Sequence, residues 1–424
     1  MASKVGFENI EELKRIVETA RGGLQADLVV KNASFLDILG GSWLKGDIAI
    51  ADGVIVGTCE TYSGKNVIDG SNLTVVPGFI DSHVHIESSL LTPSGFERAV
   101  LPRGTTTAIW DPHEIANVRG KDGLSWAFDA VANLKMDVFI VLPSCVPSTS
   151  PELLLETSGA TLRSADLTEF RGRARLRGLA EMMNFPGVLH EDADVMQKLI
   201  QFANMPKDGH CPLLRGRNLN AYAAAGLMSC HESVSLEEAR EKLAKGLHVW
   251  IRQGSCAKNA SALLPLLDSY TASELGFCTD DRNALDIEQD GHIDAIVQMA
   301  LQRGISPFAV FKAACLSPAR AYGLMDRGVV APGYRADLNL LHLKQPDDWT
   351  AGFEVDSVIK SGRVIQASDL QVAPSQLDDA AILKWPTGMR ARNVNVSLPI
   401  TACNLLIPSS TTCAAVKTAG VNET

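Results

Sequence analysis

The alternation of apolar and polar positions divides the chain into three kinds of segment. Near the start, Phe7, Ile10, Leu13, Ile16 and Val17 recur at helical spacing, so residues 1–24 are expected to carry a short amphipathic helix. Two β-rich runs follow, ADLVVKNASFLDI and GDIAIADGVIVG; Asp52-Gly53, between the apolar halves of the second, predicts a tight hairpin. Short β-branched runs split by glycine return far downstream in GYRADLNLLHL and VIKSGRVI. Residues 25–73 and 326–370 are therefore expected to pair into one small β-sandwich-like domain built from both flanks of the segment between them.

Residues 74–325 alternate strand-like and helical stretches. The strand candidates are TVVPGFIDSHVHI, TTTAIWDPH, DVFIVLPSC, LRGLAEMMNF, DGHCPLL, GLMSCHES, HVWIRQGS and LGFCTDD, eight in all. Among the helical stretches SLEEAREKLAKG has the clearest ends, with Ser235 as N-cap, Glu238 three residues on and Gly246 closing. Eight strands alternating with helices over this length fit an α/β (β/α)8 TIM barrel, the expected fold; a doubly wound open sheet gives the same alternation.

Composition narrows the partners. A net charge of −10 offers no footprint for nucleic acid or an anionic membrane, which leaves a small molecule. No window approaches a membrane span and the N-terminus lacks a signal-peptide pattern, so a cytoplasmic location is expected. The nine cysteines are odd in number and form no C-x-x-C, which argues against a disulfide framework or zinc ribbon.

A barrel places its chemistry at the C-terminal ends of its strands, and polar residues of metal-ligand type gather there. His83 and His85 close the first strand, Asp111, His113 and Glu114 the second, Glu181 the fourth, His210 the fifth, His231 and Glu232 the sixth, and Asp280 and Asp281 the eighth. Residues i and i+2 of a strand share a face, so His83 and His85 can address one cation. Glu181, in the apolar run GLAEMMNF, is costly to bury without a partner such as a metal. A mixed imidazole and carboxylate set suits a pair of divalent ions, which points to hydrolysis. Asp280 and Asp281 could instead cap the following helix, and His190, His248 and His342 fall outside the strand ends. HEIAN is not H-E-x-x-H, no P-C-x-x-C follows an H-x-E, and there is no Walker A pattern.

PGFIDSHVHIESS resembles the first-strand motif of the amidohydrolase superfamily. HVHIESSLLTP, GTTTAIWDPHEIANV, GLAEMMNFPGVL, DGHCPLLRGRNLNAYAAAGL, SCHES and CTDDR are together similar to its adenine deaminase family. The resemblance runs from about residue 25 to residue 365. It implies hydrolytic deamination of adenine to hypoxanthine and ammonia by metal-activated water. His83 and His85 would hold one ion, His210 and His231 the second, Glu181 would bridge, and Asp280 would complete the site and move protons. Glu114 would be a second acid, with Glu87 and His113 near the substrate. Two ions per chain are expected, manganese or ferrous iron favoured and zinc possible, in an enzyme that is expected to be a homo-oligomer. The family implies a further C-terminal domain, whereas the Ser/Thr-rich stretch at 371–424 reads as a truncated or atypical tail. Another amidohydrolase acting on a cyclic amide or aminated heterocycle, or a truncated relative without catalysis, are the competing readings.

Overall fold

The structure is a computed structural model that describes residues 5–7, 9–149 and 158–370, so the tail anticipated over 371–424 lies outside the described residues. Asn9 opens the helix Ile10–Ala20 by accepting from the Glu12 amide, with Glu11 and Glu12 in the first turn where the helix dipole favours negative charge. Of the anticipated apolar face, Ile16 is buried in a cluster with Val29, Ala49 and Val54, and Phe7 packs alongside from outside the helix. Ile10, Leu13 and Val17 stand exposed.

Strands β1 (Ala26–Asp37), β2 (Ser42–Ala51), β3 (Val54–Thr58), β4 (Gly64–Asp69) and β5 (Thr74–Pro77) form one sheet with three strands from the other end of the chain, β14 (Leu338–Leu343), β15 (Phe353–Lys360) and β16 (Arg363–Val364). The order is β16-β15-β14-β5-β1-β2-β3, with β4 also paired to β1. Asp52 and Gly53 take positive φ of 50° and 76°, as a two-residue hairpin turn requires, and Ala51 pairs with Val54 across it. Side chains alternate between faces: Leu28 and Val30 join Phe35, Ile48 and Leu340, whereas Val29 joins Ala49 and Ile16.

The run TVVPGFIDSHVHI, anticipated as a single strand, is two. Thr74–Pro77 belongs to the sheet just described, antiparallel to β14, and β6 (Phe79–Val84) starts a second system. Gly78 makes the change of direction: its amide donates to Asp337 and the next, Phe79, to Gly104, and a Cβ at position 78 would collide with Thr106.

From there the strands are parallel. β6, β7 (Thr105–Trp110), β8 (Asp137–Leu142), β9 (Leu176–Met182) and β10 (Lys207–Gly209) form one sheet; β11 (Ser229–Cys230), β12 (His248–Arg252) and β13 (Leu275–Cys278) form another. Backbone hydrogen bonds join the two groups at both edges. The Met228 amide donates to Lys207, the Asp280 amide to the His83 carbonyl at 3.0 Å, and the His85 amide to the Asp280 carbonyl at 3.2 Å. Ile80, Ile109, Phe139, Val141, Ala180, Trp250 and Cys278, drawn from six of these strands, pack into one apolar cluster with Tyr322 and Leu324, so the parallel sheet curls around a common centre. Helices cover its outside, with Ser235 accepting from the Glu238 amide at the N-cap and Gly246 at φ 81° beyond the C-terminus of Leu236–Ala244.

An ion network ties the two systems together. Asp137, at the start of β8, accepts from Arg327 at 2.6 Å and from the buried Lys360 of β15 at 2.7 Å. Burial alone would raise the Asp137 pKa, but Lys360 and Arg327 outweigh it and hold the carboxyl well below the usual range. A depressed folded-state pKa means that this stabilisation is present above the unfolded carboxylate pKa of about 3.9 and drains away as pH falls below it. Asp137→Asn is expected to lower the unfolding free energy by about 1–2 kcal/mol near neutral pH, since Lys360 keeps Asp337 and Arg327 keeps Asp326 as partners, and to cost progressively less below about pH 4; urea unfolding across pH measures both.

Candidate metal centre

His83 lies near the end of β6, His85 and Asp111 just past β6 and β7, and Glu181 within the last turn of the pleat in β9. His210 and His231 directly follow β10 and β11, and Asp280 sits two residues past β13. Parallel strands in register bring their C-terminal ends to one edge, so these side chains converge although they are spread over two hundred positions. His83, His85, Glu181, His231 and Asp280 are all buried, and His210 is partly open to solvent.

Two imidazoles define the centre. His83 Nδ1 faces Asp208 Oδ2 at 2.8 Å, and His85 Nδ1 faces the Asp111 carbonyl at 3.0 Å. Both Nδ1 atoms therefore carry the ring proton and donate outward, which leaves both Nε2 lone pairs pointing inward. Those Nε2 atoms are 3.0 Å apart. Facing lone pairs need a proton or a cation between them. Around them stand Asp280 Oδ1, 3.1 Å from His85 Nε2 and 3.5 Å from His83 Nε2, and Glu181 Oε1, 3.3 Å from His85 Nε2.

The other oxygen of Glu181 turns to the second pair of histidines. Oε2 lies 2.5 Å from His210 Nδ1 and 3.2 Å from His231 Nε2. The carboxylate thus spans two groups of nitrogens, as a bridging ligand does. His231 is buried with neither ring nitrogen in a hydrogen bond, although Nε2 is close to Glu181 and 3.5 Å from Glu232. A cation at Nε2 would relieve part of that cost. The donor set, imidazole with carboxylate, fits divalent transition metals.

The electrostatics agree. Burial opposes the charged forms throughout, yet Asp208 and Asp280 raise His83 well above its ordinary pKa, and the histidines hold Glu181 and Asp280 well below theirs. The acids Asp111, Glu181, Asp208, Glu232 and Asp280 crowd the same region with one guanidinium, Arg252, so four negative charges are left for the histidines or bound cations to balance. Two divalent ions would balance that excess.

The remaining anticipated residues divide. His113 is in the cluster, Nδ1 3.2 Å from Asp111 and 3.4 Å from Glu181, and Glu114 lies 3.3 Å from His113 Nε2. Burial, with two carboxylates working against it, leaves the His113 pKa raised to about 9. Glu87 would share the face of His83 and His85 only if the strand continued; it ends at Val84 and a 3-10 turn, Ile86–Ser89, turns Glu87 away. Its carboxylate accepts from the Trp110 indole at 2.7 Å and the Ile115 amide at 3.2 Å, and burial, with Glu114 adding to it, pushes its pKa to about 8. Neither Asp280 nor Asp281 caps the next helix: Asn283 does, accepting from the Asp286 amide. His190 and His342 are exposed, and His248 stacks on Trp250.

Sequence reading missed three participants. Asp208 orients His83 from the opposite edge of the five-stranded sheet, and its one sequence signal is the D-x-H spacing to His210, a residue it does not serve. Arg252, at the end of β12, pairs with Asp280 and Glu232. His292 lies buried between Asp81 at 3.1 Å and Thr105 at 2.9 Å, under the junction of β6 and β13.

Comparison with known proteins follows this geometry. The profile of the Amidohydrolase family matches residues 74–365. The chain is 49% identical over 331 residues to an adenine deaminase of Sinorhizobium fredii, covering 78% of this chain and 58% of that protein. It is 47% identical over 357 residues to adenine deaminase 1 of Rhizobium meliloti, covering 83% and 62%. The chain thus spans about three fifths of the length of these relatives. Among solved structures, a zinc-bound adenosine deaminase of Xanthomonas campestris superposes with a TM-score of 0.57 at 16% identity, over 84% of this chain and 96% of that one. An adenine deaminase crystal structure gives 0.54 at 15% identity, over 81% and 100%. At such identities the structural likeness speaks for the fold alone.

Asp208→Asn is expected to weaken divalent-metal binding about 10- to 100-fold, because the amide cannot hold the Nδ1–H tautomer as the carboxylate does; competition with a chelating dye measures it.

Proposed function

Because this chain belongs to the amidohydrolase family, we propose that it is a metal-dependent hydrolase that converts adenine and water to hypoxanthine and ammonia at the cluster around Glu181. One observation carries the reading: the two inward Nε2 atoms of His83 and His85, 3.0 Å apart, with Glu181 reaching from them to a second histidine pair. The names of the relatives at 49% and 47% identity support the substrate. The hydrogen bonds at both edges of the parallel strands support a closed (β/α)8 barrel over 78–325, beside a composite β unit of 25–77 and 326–370 that takes in Thr74–Pro77.

When bound, divalent ions supply an acidified water and polarise the bond under attack. His83 and His85 would hold one ion with Asp280, His210 and His231 the other, and Glu181 both. Asp280 takes one proton as the water oxygen bonds to C6 and gives it to the amino group as the C6–N bond breaks; the second water proton, lost as the C6 carbonyl forms, replaces the one that Glu114 gives to the ring nitrogen. The Oδ1 of Asp280, the oxygen turned toward the histidines, is the one placed for this. Glu114, at the open side of the cluster beside His113, is the acid for the ring nitrogen; burial raises its pKa, which favours the protonated form that such a role requires. His113 lies at the same open side, where a purine would pass. Glu87 is committed to Trp110 and the Ile115 amide.

The purified chain, reconstituted with manganese or ferrous iron, is expected to carry two ions and to release ammonia from adenine, followed by adenine absorbance and an ammonia assay. Chelation, or Glu181→Gln, is expected to remove both metal and turnover. Turnover of a cyclic amide or another aminated heterocycle, with adenine untouched, would move the reading to a different amidohydrolase chemistry.

A further inference from the structure

We propose that Arg252, at the end of the seventh parallel strand, is the positioning residue that decides which oxygen of Asp280 faces the cation site; this rests on the metal reading above. The seventh strand contributes no other residue to the cluster. Arg252 is buried, and all three of its guanidinium nitrogens are engaged. Nη1 lies 2.8 Å from Asp280 Oδ2 and also contacts Glu232 Oε1, Nη2 lies 3.0 Å from Glu232 Oε2, and Nε lies 3.3 Å from Asn259 Oδ1.

The two oxygens of Asp280 therefore have opposite duties. Oδ2 belongs to Arg252, and Oδ1 is within 3.1 Å of His85 Nε2 and 3.5 Å of His83 Nε2. The backbone of Asp280 is already clamped: its amide donates to His83, its carbonyl accepts from His85, and its φ of 55° lies in the left-handed region, where a non-glycine residue stays only if its surroundings hold it. What the backbone leaves free is rotation of the carboxylate about its own bond. The Nη1 hydrogen bond to Oδ2, from a guanidinium itself anchored on both oxygens of Glu232, opposes that rotation.

Glu232 is governed by the same guanidinium. It lies 3.5 Å from His231 Nε2 and 3.8 Å from His210 Nδ1, close enough to compete for a cation held by those rings. The bidentate grip of Arg252 keeps both of its oxygens occupied. Arg252 thus gives Asp280 one inward oxygen and withholds Glu232.

The test is a double-mutant cycle read in metal affinity on the full chain, with cobalt(II) as the probe and its visible absorption reporting coordination. R252M is expected to weaken cobalt binding about 10- to 100-fold and to alter the spectrum. D280N is expected to weaken it as well, and, in an E232Q background, which removes the Glu232 contribution, R252M/D280N to bind within about twofold of D280N, since Arg252 there acts through Asp280. R252K is expected to restore part of the loss. Losses that multiply in the double variant in the E232Q background, or an R252M protein with wild-type affinity and spectrum, would overturn the proposal. If R252M does not give folded protein, R252Q, of similar length and without charge, carries the same cycle. A wild-type chain that binds no cobalt overturns both this proposal and the metal reading, whereas one that binds cobalt but leaves adenine intact overturns only the substrate.

Discussion

A carboxylate withdrawn from water, Glu181, sets the terms for the rest of the molecule. An isolated carboxylate at such a position would neutralise itself by taking a proton, yet the surrounding imidazoles hold Glu181 ionised. Its oxygens reach histidines delivered by three chain segments, His83 and His85 from one side and His210 and His231 from the other. No local stretch of sequence could supply such a shell. It requires strands that run the same way and end at the same level, which is what the parallel arrangement provides.

The junction between the first and last parallel strands bears the most load. Asp81 accepts from the Thr279 hydroxyl at 2.5 Å and the Thr279 amide at 3.2 Å, and His292 reaches from Asp81 to Thr105 on the next strand. Directly above, the backbone of Asp280 is held between His83 and His85. The hydrogen bonds that join β13 to β6 are thus the same ones that place three of the candidate ligands. At the far end of the strands, the pairs from Asp137 to Arg327 and Lys360 fix the composite sheet against the parallel system, away from the chemistry.

Much of this was legible in the order of residues. The i and i+2 spacing of His83 and His85, the buried acid in GLAEMMNF and the lone histidines at strand ends all point to one edge, because strand periodicity and burial cost are local properties. The Asp52-Gly53 hairpin is equally local. What escaped depends on register between strands. The run from Thr74 to His85 reads as one strand because both halves are apolar, and only the crowding of Gly78 against Thr106 reveals that it serves two sheets. Glu87 looked like a continuation of the histidine face because nothing in IESS announces a 3-10 turn. Asp208 and Arg252 each act on a residue of another strand, and spacing along the chain carries no record of that.

That last class of residue follows a rule. His83 on β6 is oriented by Asp208 on β10, His85 after β6 by the carbonyl of Asp111 after β7, and Asp280 after β13 by Arg252 on β12. In each case the orienting group comes from a different strand than the residue it orients, so no loop by itself sets the geometry. A rotation of one side chain is opposed by a neighbour from another strand or strand end, and the loops farther out are spared the task. This arrangement lets the loops after β6 through β13 vary to suit a substrate while the cation-binding geometry stays a property of the sheet, which is the separation between scaffold and specificity that strand-end sites allow.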